Sequence, residues 1–153
     1  MNKPSIINTG IKDVEFGINV TIVEPVNLYG CSIGTNSFIG PFTEIQKGVQ
    51  VGNDCRIQSH SFICELVTIG NNCFIGHGVI FINDLMKNGS PAGDKAKWKA
   101  TNIGHHVSIG SNATILPVDI CDHVVIGAGS VVTKNISEPG VYAGNPVKKI
   151  RSL

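Results

Sequence analysis

Charge is scarce in this chain. Only 15% of its 153 residues are Asp, Glu, Lys or Arg, and the formal net charge is +1 at pH 7. No global field therefore draws it to nucleic acid or to an anionic surface. No apolar run approaches the length of a membrane-spanning helix, so no membrane insertion is expected. The opening stretch MNKPSIINTG has no signal-peptide core, which points to a cytoplasmic protein. Aromatic residues are few, at 6%. The five cysteines (Cys31, Cys55, Cys64, Cys73 and Cys121) form no C-x-x-C pair, which argues against a zinc knuckle. The one plentiful special residue is glycine, at 18, which suits many short strands with tight corners better than helices. A chain this long fits one domain, residues 1–153, with a real core.

The dominant signal is a period of six. Ile33, Ile39, Ile45, Val51, Ile57, Ile63, Ile69, Ile75 and Phe81 stand six apart without interruption. A helix needs about 3.6 and a flat strand 2, so neither explains it. Upstream, Phe16, Ile22 and Leu28 extend the register, then a step of five leads to Ile33. Downstream it resumes at Ile103, Ile109 and Ile115, loses one residue on the way to Ile120, and continues through Ile126 and Val132. Small or branched residues recur four places after each repeat residue, as at Ser37, Thr43, Val49, Cys55, Ser61, Val67, Cys73 and Val79. Glycine often follows a repeat residue directly, and asparagine sits nearby; both suit left-handed angles at sharp corners.

These hexapeptides build a solenoid. Each makes one flat side and a corner, three sides close a triangular coil of about eighteen residues, and the coils stack at strand spacing. Branched residues fill the prism, and the small ones sit where walls converge. Cys55 and Cys73 lie one coil apart, so they should stack as buried free thiols.

The register fails between Phe81 and Ile103, over NDLMKNGSPAGDKAKWKATN. A solenoid accommodates such an insertion as an outward loop, here about residues 84–102, and such loops often carry function. This flap holds Lys87, Lys95, Lys97, Lys99 and the only tryptophan, Trp98. It is expected to reach a neighbouring subunit, with its lysines near phosphate groups. Glu65 and Asn83 hold equivalent places on successive coils, and Asp84 follows. His60 and His77 are the nearby histidines and the candidate bases.

From about Phe16 to Val132 the chain closely resembles the hexapeptide-repeat proteins. The resemblance implies an all-β, left-handed parallel β-helix with one long inserted loop and a short C-terminal tail of about residues 137–153. Most members of that family are trimeric acyltransferases. The stretch ILPVDICDHVVIGAGSVVTKNI, with GVYAGNPVKKIR after it, is similar to the acetyl-CoA-binding end of the family. It implies acetyl-CoA as co-substrate, with Gly127, Ala128 and Gly129 along its pantetheine arm. Lys134, Lys148, Lys149 and Arg151 would stand near its phosphates. The stretch IQSHSFICELVTIGNNCFIGHGVIFIND is similar to N-acetyltransferases of 3-amino sugars linked to dTDP or UDP. There the residues matching Glu65, Asn83 and Asp84 line the sugar site, so these three are the catalytic candidates. The implied partners are a dTDP- or UDP-linked amino sugar and two further copies in a homotrimer. The product would feed bacterial surface-glycan synthesis. Two departures stand out. Leu85-Met86-Lys87 replaces a Tyr-Pro-Arg-like continuation, and Ile115–Val118 reads ILPV where the family has ILPGV. The zinc carbonic anhydrases on this fold need a closer second histidine pair than His60, His77, His105, His106 and His123 supply, so no metal is expected.

Overall fold

The computed structural model describes Ser5 and residues 10–153. Strands mostly of two or three residues wind into three walls, parallel throughout except for the last strand of the third. The first wall has 7 strands, the second 6 and the third 8. The first runs Ile11–Lys12, Asn27–Tyr29, Glu44–Ile45, Phe62–Ile63, Ile80–Phe81, Thr114–Ile115 and Val131–Val132. The fold is the left-handed parallel β-helix of the sequence expectation.

Register follows the repeat. Ile63 lies beside Ile45, Ile75 beside Ile57, and Ile69 beside Ile103 across the flap. Repeat residues from Leu28 to Val132 are buried, and so are the small residues four places on. The steps of five make shorter coils: Asn102 faces Asp119, 17 positions away, where other coils repeat at 18. Three strands lie outside the hexapeptide reading. Ile11–Lys12 adds a first strand beside Asn27–Tyr29. Gly140–Gly144 extends the third wall in parallel, and Val147–Arg151 folds back antiparallel on it across Asn145-Pro146.

The corners correct one expectation. The glycines directly after repeat residues are not the left-handed positions. They stand where one coil meets the next too closely for a side chain. A Cβ on Gly70 would lie 2.6 Å from the Gly104 carbonyl oxygen and 2.9 Å from the His105 nitrogen. Left-handed angles fall three residues after the repeat residue instead. Asn36, Asp54 and Asn72 take them on one corner, which suits those residue types, but Phe42, His60 and Leu66 take them elsewhere. Asn53 and Asn71 do other work: their side-chain oxygens accept from the backbone N–H of Thr35 and Asn53 in the adjoining coils, at 2.9 and 2.8 Å.

All five cysteines are free. The thiols of Cys55 and Cys73 donate to the carbonyls of Gly70 and Gly104, both at 3.1 Å. Burial pushes Cys31 and Cys64 up to about 11. The hydrogen bond with Cys55, and then burial, raise Cys73 further, while the same pairing lowers Cys55. Thiols held protonated are poor nucleophiles, and Cys55 is shut away from reagents by complete burial. Dithiothreitol should therefore leave both melting temperature and activity unchanged; a drop in either on reduction would show that an oxidised cysteine matters.

Candidate active site

The flap leaves the solenoid where the first wall turns toward the second. The strand Ile80–Phe81 ends at buried Phe81, and half-buried Asn83 and Asp84 follow on the corner. The excursion closes slightly before the expected bound of 102, because Thr101 already pairs with Val67. Asn83 sits one coil beyond Glu65, and its Nδ2 donates to the Glu65 carbonyl at 3.2 Å. The backbone oxygen of Asn83 accepts from Lys99 N at 2.9 Å, which ties the far end of the flap to its root.

Glu65 has a partner that its own coil does not supply. Its carboxylate forms an ion pair with the Lys95 ammonium. Lys95 lies in a short 3-10 turn, Lys95–Lys97, capped by the Asp94 side chain on Ala96 N at 2.9 Å. The same ammonium stands 5.1 Å from the centroid of the Trp98 ring. A carboxylate and an aromatic face thus hold one cation between them. Beneath Glu65 runs a polar line that the sequence reading missed. Gln46 accepts from Glu65 N at 3.3 Å and donates to Glu44 at 2.8 Å. Burial, then the charges of Glu44 and Glu65, push the Tyr29 hydroxyl up. The signal was present in the register, since Gln46 stands one short coil beyond Tyr29.

Asp84 serves the flap's own backbone. Its two oxygens accept from Met86 N at 2.9 Å and Ala92 N at 2.7 Å. These bonds, Ala92 first, hold its carboxyl below the usual Asp range. A depressed folded value means that the anchoring is complete above the ordinary Asp range and is lost as pH falls through the depressed value. Acidification should therefore loosen the flap only below the ordinary carboxylate range, read as a change in fluorescence of the single Trp98. The same profile in Asp84→Ala would show that this carboxylate is not the anchor.

The histidines stand on a different corner, between the third wall and the first. His77 and His60 are exposed. His77 Nδ1 lies 2.8 Å from Ser59 Oγ, one coil below. His60 stacks on Phe42, with ring centroids 4.9 Å apart. Within one chain, the first wall separates both from Asn83. Gly127, Ala128 and Gly129 are on this same corner, nearer the C-terminal end. Gly127 N donates to Tyr142 O at 2.8 Å, and a Cβ there would meet Ala143 Cβ at 2.9 Å. Gly129 takes a left-handed φ of 68°. Lys148 pairs in register with Ala143, close to Gly127, and Arg151 with Val141 farther along. Lys149 is bound to Glu138 at 2.9 Å, which raises its pKa. Lys134 does not join this group, since it follows Val132 onto the flap's corner. Among the described residues no three His, Cys, Asp or Glu side chains gather as a metal site.

Comparison with known proteins agrees with this architecture. The family described as "Bacterial transferase hexapeptide (six repeats)" matches residues 30–65. "Hexapeptide repeat of succinyl-transferase" matches 66–85 and 101–134, leaving out most of the flap. The bifunctional protein GlmU of Latilactobacillus sakei is 33% identical over 145 residues, covering 88% of this chain and 29% of GlmU. The chain thus spans about a third or less of the length of such curated relatives. Among solved structures, a variant of AntD, an N-acyltransferase from Bacillus cereus in complex with dTDP and coenzyme A, superposes with a TM-score of 0.79. It is 26% identical, over 90% of this chain and 83% of that one. A maltose O-acetyltransferase from Clostridium difficile is 25% identical over 94% of this chain and 69% of its own, with a TM-score of 0.53. The two family matches together cover more than half of the residues and meet where the coils continue without a break, so the chain belongs to the hexapeptide-repeat acyltransferases.

Proposed function

We propose that this protein is a sugar-nucleotide N-acetyltransferase, moving an acetyl group from acetyl-CoA to the 3-amino group of a dTDP- or UDP-linked amino sugar. The observation that carries the reading is the likeness to AntD, whose complexes hold dTDP with coenzyme A or with 3-hydroxybutyryl-CoA. The product is a precursor of a bacterial surface glycan. The active assembly is a homotrimer in the cytoplasm, with sites at the subunit seams, since the flat walls of a prism pack side by side and cyclic symmetry closes them.

In the reaction the neutral amine attacks the thioester carbonyl. The N–C bond forms, the C–S bond breaks, and the amine's proton leaves with the coenzyme A thiolate. Bringing both reactants to one seam removes much of the entropic barrier. A sugar amine flanked by oxygens is less basic than lysine, so a useful neutral fraction exists without a histidine base. Asn83 keeps one N–H and its Oδ1 beyond the bond to Glu65, enough to orient the amine or meet the oxyanion. Gly127, Ala128 and Gly129 present bare backbone to the pantetheine arm, and Lys148 stands nearest for its phosphates, with Arg151 farther along.

The test is a panel of dTDP- and UDP-linked amino sugars offered with acetyl-CoA and with 3-hydroxybutyryl-CoA, read by mass shift. A gain of one acetyl on a 3-amino sugar nucleotide is expected. The likeness to a maltose O-acetyltransferase supports a second reading, O-acetylation, and hydroxyl-only sugars belong in the panel for that reason. Acetylation of those alone overturns the N-acetyl reading. Transfer to nothing in the panel leaves a non-catalytic scaffold.

A further inference from the structure

The flap encloses a hollow of about 580 Å³. That volume lies within the roughly 300–1,000 Å³ usual for small-molecule sites. Its lining divides by chemistry. Lys87, Lys97 and Lys99 supply cations, while Leu85, Met86 and Pro91 supply an apolar side.

The four lysines of the flap are not equivalent. Lys95 is turned to Glu65 and Trp98. The other three line the hollow and have no carboxylate partner among the described residues. The one acid in the lining is Asp84, and its oxygens are taken by the N–H groups of Met86 and Ala92. Three ammonium groups against one carboxylate leave the concavity with an excess of positive charge that favours an anion. Local structure keeps them there: Lys97 ends the 3-10 turn, and Lys99 is tied by its backbone to Asn83.

We infer that this hollow binds the diphosphate of a nucleoside diphosphate, with Lys87, Lys97 and Lys99 around the phosphates and the apolar side against the nucleoside. The inference rests on the sugar-nucleotide reading above and gives it a place. The diphosphate would then lie beside the flap's root, within reach of Asn83 for the attached sugar. Coenzyme A carries a diphosphate too, but its other candidate contacts stand on the opposite corner, at Gly127 and Lys148.

The test is calorimetric binding of dTDP and UDP, and separately of coenzyme A, to the intact protein and to Lys87→Gln, Lys97→Gln, Lys99→Gln and the triple variant. Lys12→Gln, in the first strand and outside the flap, is the comparison, and melting confirms the fold, which exposed lysines should not disturb. Each substitution in the hollow should weaken nucleotide binding about two- to fivefold, the usual range for one exposed charge pair. The triple variant should lose at least about tenfold, with a flatter salt dependence. Coenzyme A affinity should not change, and Lys12→Gln should bind nucleotide normally. Unchanged nucleotide binding in the triple variant overturns the inference, even if acetyl transfer to a sugar nucleotide proceeds. A loss confined to coenzyme A overturns it equally. If no nucleotide binds the intact protein and free amino sugars are acetylated instead, the sugar-nucleotide reading falls with it.

Discussion

Phe81→Ala should destabilise the protein by roughly 3–5 kcal/mol, the range for truncating a fully buried phenylalanine. Phe81 is 0% exposed and stands at the last repeat position before the flap. It lies beside Ile115 across the break, in a column that holds Ile63 one coil earlier. Most comparable positions carry isoleucine. The larger ring here fills the prism beside the corner from which the flap leaves. A folded domain is commonly stable by only about 5–15 kcal/mol, so the loss is a large share of the total. The flap corner should also loosen, because Asn83 hangs two residues beyond the lost ring. Phe81→Leu keeps most of the volume and should cost much less, as volume-conserving swaps do. Ile63→Val, one coil away, should cost about 0.5–1.5 kcal/mol. Denaturant unfolding at one fixed protein concentration reads all three, since subunit association shifts apparent stability. A cost for Phe81→Ala no larger than that of Ile63→Val would mean that this coil collapses around the gap and is not held by the ring.

The walls were legible because one residue in six does a single job. Ile33 through Phe81 all point into the prism, and burial of a branched side chain constrains sequence strongly. The corners were less legible, because two demands fall on adjacent places. Close coil contact explains Gly70, whereas the left-handed turn falls on Asn72, and both had looked like one glycine–asparagine signal. Phe42 and Leu66 break the usual residue preference for that turn, so composition gave no warning of them. Spacing alone placed Asn83 over Glu65, and would have placed His77 over Ser59. It could not find Lys95 for Glu65, because that contact spans 30 residues of irregular chain. Its geometry comes from local caps, Asp84 on Met86 and Ala92, and Asp94 on Ala96, which no period encodes.

Asn83→Ala should lower turnover by at least about tenfold, since one well-placed hydrogen bond to the transition state is commonly worth that or more. Two roles are lost together. The donor to the Glu65 carbonyl disappears, and so do the free N–H and Oδ1 that the proposed mechanism uses on the acceptor. The first loss is mild, because one hydrogen bond at a half-buried residue contributes only about 0.5–1.5 kcal/mol. The second acts on the chemical step, so kcat should fall more than acyl-CoA affinity. Glu65→Ala should release Lys95 and weaken use of the acceptor, and Asp84→Ala should do the same by freeing the backbone of Met86 and Ala92. Both should leave acyl-CoA binding nearly intact. His60→Ala and His77→Ala should cost less than Asn83→Ala. His60 rests on Phe42, and His77 already uses one nitrogen on Ser59. Steady-state kinetics on these five variants, with melting as the check on folding, separate positioning from base catalysis. If either histidine variant is inactive while folded and Asn83→Ala turns over almost normally, the amine is deprotonated by a histidine brought to the seam. The flap corner would then hold the sugar without governing its chemistry.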